Sequence, residues 1–125
     1  MEEHRLNCFE ISNEYIPTNG TIRVQAQVGL LTKTGFPTIE YSVNIYAGSE
    51  KVRKIILKSG GDGGISSPEA NERRNRQAMM VVHIANHIAY ELEDICLIKG
   101  TKIIRSCSSS LNSLSLTLPP SFIME

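Results

Sequence analysis

The sequence predicts an α+β domain in which an antiparallel sheet of about five strands packs, in two layers, against one long helix. Two observations carry this prediction: segments with strict apolar–polar alternation, typical of half-buried strands, and one later segment with helical periodicity. A chain of 125 residues is long enough to bury one conventional core without disulfides or metal. We therefore expect a single domain over residues 1–125 that needs no cofactor.

The clearest strands form a meander over residues 21–58. One strand is predicted over 21–31 and the next over 38–47, joined by a Gly- and Pro-containing connection of hairpin length. Their apolar faces comprise Ile22, Val24, Ala26, Val28, Leu30, Ile39, Tyr41, Val43, Ile45 and Ala47. Their polar faces include Arg23, Gln25, Gln27, Glu40, Ser42, Asn44 and Tyr46. Such a face is either a binding surface or the wet side of a two-layer fold. A third strand is predicted over 51–58, and an earlier one over about 5–11.

A Gly-rich loop over 59–67 precedes the predicted helix, which runs from 68 to about 92. Ser67 is a suitable N-cap, Pro68 fits the first helical position, and Glu69 lies in the first turn. The stripe predicted to face the sheet comprises Ala78, Val81, Val82, Ala85, Ile88, Ala89 and Leu92. The opposite face comprises Glu72, Arg73, Arg76, His83, His87, Tyr90 and Glu91.

The C-terminal third has weaker signals. Residues 95–98 and 102–105 are predicted to form a short hairpin, and the Ser-rich stretch 106–110 a loop. Residues 111–125 are predicted to form a last strand and a tail. This segment either completes the protein's own sheet or adds a strand to the sheet of a partner.

Charge and composition exclude some classes of protein. Lys and Arg total 13 and Asp and Glu total 13, which argues against general coating of nucleic acid or an anionic membrane. No apolar run is long enough to span a membrane, and the start, MEEHRLNCFE, is acidic where a secretory signal is basic. Three cysteines without C-x-x-C spacing fit a reducing compartment. We therefore expect a soluble, cytoplasmic protein.

Basic residues flank the Gly-rich loop and are the main candidate binding residues. The candidate set is Lys51, Arg53, Lys54, Lys58, Gly61, Gly63, Arg73, Arg74 and Arg76. A glycine nest and a helix start attract phosphate, and arginines bind it bidentately, although the sequence lacks a P-loop and a dinucleotide fingerprint. The alternative is a flexible connector beside a solvated face. The order of three strands, a Gly/Ser loop and a helix that opens with basic residues is similar to that of double-stranded-RNA-binding modules, although SSPEANERRNRQ does not match their Lys-rich signature.

Catalytic and metal signals are weak. His83, His87 and Glu91 share one helical face, but HIANH lacks the glutamate of the H-E-x-x-H zinc motif. No serine nucleophile motif is present, and the cysteines are interpreted as ordinary thiols. The sequence therefore predicts a protein that is not an enzyme and has no metal site.

The predicted function is a small binding module that engages an anionic partner, RNA or a nucleotide, through the Gly-rich loop and its bases. The alternative is an assembly or inhibitor protein of viral or phage type, acting by protein contacts through the helix 68–92 or the tail 111–125. A helix ending near 92 would place Arg73, Arg74 and Arg76 near its N-terminus and acidic residues, Glu91, Glu93 and Asp94, near its C-terminus, both against the macrodipole. An antiparallel copy of the helix would compensate, so we expect a homodimer or higher oligomer.

Overall fold

A computed structural model of the chain describes residues 16–33, 36–60 and 67–109. The predictions for 5–11, for Gly61 and Gly63, and for 111–125 lie outside these residues. The described part is α+β, with one helix packed on a four-stranded sheet. The strands are β1 (Thr21–Lys33), β2 (Phe36–Ala47), β3 (Glu50–Gly60) and β4 (Lys102–Ser109), and the helix is α1 (Pro68–Lys99).

The three antiparallel strands follow the predicted alternation. β1 pairs with β2 in continuous register, and β2 pairs with β3 through two irregularities that resemble β-bulges. A two-residue turn joins β2 to β3, and Gly48 takes its first central position with a φ of 63°. Glycine adopts this conformation without the steric cost that a Cβ atom adds, which suits it to the first central position of a two-residue hairpin turn.

The prediction of about five antiparallel strands is wrong in part, because the described sheet has four strands in the order β3-β2-β1-β4 and is mixed. β4 runs parallel to β1, with Thr21 opposite Lys102. The cause is the direction of α1, which returns the chain to the end of the sheet where β1 begins. Two backbone bonds fix that junction: Asn19 N donates to Lys99 O at 3.3 Å, and Lys102 N donates to Gly20 O at 3.0 Å.

The predicted hairpin of 95–98 with 102–105 is also wrong, as is the predicted end of the helix near 92. Residues 95–98 form the last turns of α1, and 102–109 form one strand that includes most of the predicted Ser-rich loop. Gly100 ends the helix in the left-handed conformation with a φ of 75°, and its N–H reaches the carbonyls of Cys96 and Leu97. A four-residue apolar run such as ICLI fits either element, so only this cap decides between them.

The core lies between α1 and one face of the sheet. All seven residues of the predicted helical stripe are buried, as are Ala70, Arg74 and Cys96. They meet the apolar faces of β1 and β2, where Leu30 differs from the prediction because 41% of it is exposed. At the helix start Ser67 caps as predicted, accepting a bond from Ala70 N at 3.1 Å. No helix in the described part of the chain is both long and apolar enough to cross a lipid bilayer.

Candidate anion-binding site

The predicted basic residues occupy two elements that lie in different layers. Four of them lie on β3 and three on α1. β3 is an edge strand, and Lys51 and Lys58 are near opposite ends of it, about 23 Å apart at the usual rise per residue. The seven bases therefore do not form one continuous patch.

Several of these bases already have partners within the chain. Arg74 is 4% exposed and donates a hydrogen bond to Asn71 Oδ1. Lys54 Nζ lies 2.7 Å from Glu40 Oε1, and Arg76 Nη1 lies 3.6 Å from Glu72 Oε2. Arg53 is half-buried. The buried Arg74 is oriented by the helix it belongs to, which argues for a structural role.

Lys58 and Arg73 are the predicted bases nearest the Gly-rich loop. Both side chains are exposed, one near the end of β3 and the other in the second turn of α1. Ser67 already occupies one of the free N–H groups at the helix start. Exposure alone does not make these two side chains an anion site, and the contribution of this end of the molecule to binding stays a prediction.

A second group of cations lies at the other end of the sheet, around Tyr46. We call Arg23, Tyr46, Lys51 and Lys102 the Tyr46 cluster. The Arg23 guanidinium lies 4.2 Å from the centre of the Tyr46 ring, and Lys51 Nζ lies 5.9 Å from it. Both distances are within the range of cation–π attraction. Lys102 is exposed at the start of β4, opposite Thr21.

Strand pairing explains why these four residues share a face. Arg23 is paired with Tyr46, and Tyr46 is paired with Lys51, so all three project to the side of the sheet opposite α1. Alternation along β4 places Lys102 on the same side, because Ile103 packs in the core. Two cations, Arg23 and Lys51, thus lie beside one aromatic ring, and Lys102 adds a third positive charge on the same face of the sheet.

The middle of the same face is a buried polar network. Asn44 Nδ2 donates to Gln25 Oε1 at 3.3 Å and also to Gln27 Oε1. Ser42 and Asn44 are both 0% exposed. In the described part of the chain Ser42 Oγ, Asn44 Oδ1 and Ser106 Oγ have no hydrogen-bond partner. The centre of the face therefore offers no accessible side-chain surface at Ser42 and Asn44. The Tyr46 cluster is the charged end of the face, where Lys51 and Lys102 are exposed and Arg23 and Tyr46 are half-buried.

Sequence reasoning assigned Arg23 and Tyr46 to the polar face but did not connect them with Lys51. The signal that connects them is the turn at Gly48. A two-residue hairpin loop places Ala47 opposite Glu50 and Tyr46 opposite Lys51, as the structure shows. Counting outward from the turn would have paired Tyr46 with Lys51, whereas Arg23 and Lys102 join the cluster through the pairing of β1 with β2 and with β4.

The possible metal ligands on α1 form only a weak candidate metal site. His87 Nε2 lies 3.6 Å from Glu91 Oε2, and His83 is exposed one turn earlier. Among the residues the structure describes, no group of three or more His, Cys, Asp or Glu is placed to hold a metal ion.

The two described cysteines lie in the core region. Burial raises the pKa of the Cys107 thiol, and burial together with the nearby Glu93 raises the pKa of the Cys96 thiol. A raised thiol pKa lowers the fraction of reactive thiolate at neutral pH.

No family model matches this chain, and neither a curated protein nor a solved structure matches it. Its function is therefore inferred from the chemistry and geometry of its own residues.

Proposed function

We propose that this chain is a small, non-enzymatic binding module for single-stranded RNA, and that the Tyr46 cluster is its main contact surface. The observation that carries the proposal is the Arg23 guanidinium 4.2 Å from the Tyr46 ring, with Lys51 beside the same ring. Cations bind phosphates, and aromatic or guanidinium planes stack with unpaired bases. One nucleotide unit presents both features, a negative phosphate and a planar base.

Single-stranded RNA fits this surface better than a duplex. The cluster lies on the face of a sheet, which cannot enter the deep, narrow major groove of A-form RNA. Unpaired bases, in contrast, are free to lie flat against the ring and the guanidinium. A net charge of zero supports a short footprint of a few phosphates, because strong electrostatic binding needs a larger basic excess.

The test is fluorescence anisotropy with a labelled, unstructured RNA of mixed sequence, titrated at low salt. We expect Tyr46→Ala to lose about 1–3 kcal/mol of binding free energy, the usual contribution of one stacked base. Tyr46→Phe keeps the ring and should bind like the parent protein.

Charge variants separate the two ends of the molecule. Arg23→Ala combined with Lys51→Ala should weaken binding and reduce the slope of log K against log salt by about 1.4, since each lost phosphate contact on a single strand contributes about 0.7. The matched control is Lys58→Gln combined with Arg73→Gln, which removes two exposed cations at the loop end. Far-UV circular dichroism checks the folding of each variant.

Two outcomes would overturn the proposal. One is the absence of RNA binding by the parent protein at low salt. The other is a loss of binding in the Lys58 and Arg73 variant with none in the Arg23 and Lys51 variant, which would locate the contact at the Gly-rich loop.

A further inference from the structure

The outward side of α1 carries a regular stripe of exposed residues. Spacings of four and three alternate along it, so its residues lie on one face of the helix, one above the other. We call this stripe the α1 seam, and its members are Arg73, Arg76, Met80, His83, His87, Tyr90, Asp94 and Leu97. Every one of them is exposed.

Large apolar side chains lie on this seam and beside it. Leu97 is 81% exposed, the adjacent Ile98 is 86% exposed, and Tyr90 is 59% exposed. The opposite side of α1 packs on the sheet, so the seam faces away from the core. Burial of these side chains against a second surface would be favourable.

The charges on the seam have opposite signs at its two ends. Arg73 and Arg76 lie toward the start of α1, and Asp94 lies toward its end, with uncharged or titratable residues between them. The macrodipole does not account for this arrangement, because α1 continues to Lys99 and the acidic residues lie outside its last turn. The acidic residues therefore do not oppose the macrodipole as the sequence predicts, but the positive and negative charges are still separated along the seam.

Ion pairs within the chain neutralise only part of the charge on and beside the α1 seam. Glu93 pairs with Arg105 of β4, and Glu91 pairs with His87. Arg76 pairs with Glu72 one turn away, at 3.6 Å and with both side chains more than half exposed, a type of pair that contributes little. Asp94 has no ion-pair partner among the residues that the structure describes.

We propose that the occupant of the α1 seam is a second copy of this chain, with the two helices antiparallel about a two-fold axis. Antiparallel pairing sets Arg76 opposite the partner's Asp94, Met80 opposite the partner's Tyr90, and His83 opposite the partner's His87. The same register sets Leu97 opposite the partner's Arg73, whose methylene groups can cover it while the guanidinium stays in water. The two-fold axis forms each of these contacts twice. Parallel pairing would instead set basic residues against basic residues and acidic against acidic.

The proposal does not depend on RNA binding. The seam lies on the helical layer, and the Tyr46 cluster lies on the opposite face of the sheet. An antiparallel helix pair would leave both Tyr46 clusters accessible on the outside of the dimer.

The experiment is light scattering on a sizing column, with EDTA present so that exposed histidines cannot link molecules through stray metal. We expect a mass about twice the 13.9 kDa of one chain. Arg76→Glu alone and Asp94→Arg alone should each give a monomer, because each places like charges together at two symmetric positions.

An equimolar mixture of the two single variants provides the sharper result. In a mixed dimer the introduced glutamate faces the introduced arginine, and the natural Asp94 of one chain faces the natural Arg76 of the other. The mixture should therefore recover the dimer mass. Glu50→Lys, which reverses an exposed charge on β3, is the matched control and should stay dimeric.

A monomeric parent protein over the whole accessible concentration range would overturn the proposal. It would also be overturned if both single variants stayed dimeric, or if both became monomeric and their mixture failed to form a dimer. Circular dichroism of each variant excludes misfolding as the cause of a changed mass.

Discussion

At the scale of single residues, the polar face of β2 contains two buried side chains that differ in their hydrogen bonds. Asn44 Nδ2 donates to Gln25 and Gln27 although Asn44 Oδ1 has no partner in the described part of the chain, whereas the hydroxyl of Ser42 has no partner there at all. A buried polar group without a partner carries the full cost of leaving water, while a bonded group is largely compensated. Two residues with the same burial should therefore respond differently to truncation.

We expect Ser42→Ala to leave the free energy of unfolding unchanged or to raise it by up to about 1 kcal/mol, because it removes an uncompensated hydroxyl. Asn44→Ala should lower it by about 1–3 kcal/mol, because it leaves two glutamine acceptors unbonded and a small cavity. Urea denaturation followed by circular dichroism measures both. A loss of stability in Ser42→Ala equal to that in Asn44→Ala would show that the hydroxyl is bonded.

At the scale of elements, α1 is defined by its two ends. Ser67 caps the start, and Gly100 ends the helix with a φ of 75° beside Asn19. A Cβ atom at Gly100 would lie 2.7 Å from Asn19 Oδ1, whereas a Cβ at Gly48, with a similar φ of 63°, would meet nothing within 4 Å.

These two glycines separate backbone strain from steric contact. Gly48→Ala should lower the free energy of unfolding by about 1–2 kcal/mol, the cost of a left-handed conformation for alanine. Gly100→Ala should lower it further, because Asn19 must also move. Thermal and urea denaturation of both variants check the difference, and equal effects would mean that Asn19 moves without cost.

Variants of Ser67, at the start of α1, measure how much the N-terminal cap of the helix contributes to stability. Ser67→Ala removes the bond to Ala70 N, and we expect a loss of about 1 kcal/mol in the free energy of unfolding. Ser67→Asp should keep most of the stability, because aspartate caps as well as serine. An equal loss of free energy of unfolding in Ser67→Ala and Ser67→Asp would indicate that the cap bond does not contribute to stability.

At the scale of the whole molecule, we expect the centre of the sheet to be its most stable part. β1 bonds to β2 on one side and to β4 on the other, and its apolar face lies under α1. β3 bonds only to β2 among the described strands and carries exposed Ile56. Edge positions open more easily, since fewer contacts are lost when they do.

Native-state hydrogen exchange measures this difference. We expect amides of residues 24–28 to exchange only through global unfolding, and amides of β3 that face the open edge to exchange much faster through local opening. Protection of the open-edge amides equal to that of residues 24–28 would indicate that a further surface covers the β3 edge.

The sequence by itself determined the elements whose signals are local. Alternation located β1 and β2 and named nearly all of their buried residues, from Ile22 to Ile45. Helical periodicity with Ser67 and Pro68 located the start of α1 and its buried stripe. These patterns suffice because side-chain direction follows directly from the geometry of a strand or a helix.

Only the tertiary structure decided the rest. The run at 95–98 fits a strand or a helix, and the Gly100 cap beside Asn19 makes it helical. The direction of β4 depends on where α1 returns the chain, which no local pattern encodes. The Tyr46 cluster joins residues from four strands, so it exists only once the register is set. Contacts between distant segments determine these features, and a sequence pattern reports only on neighbours along the chain.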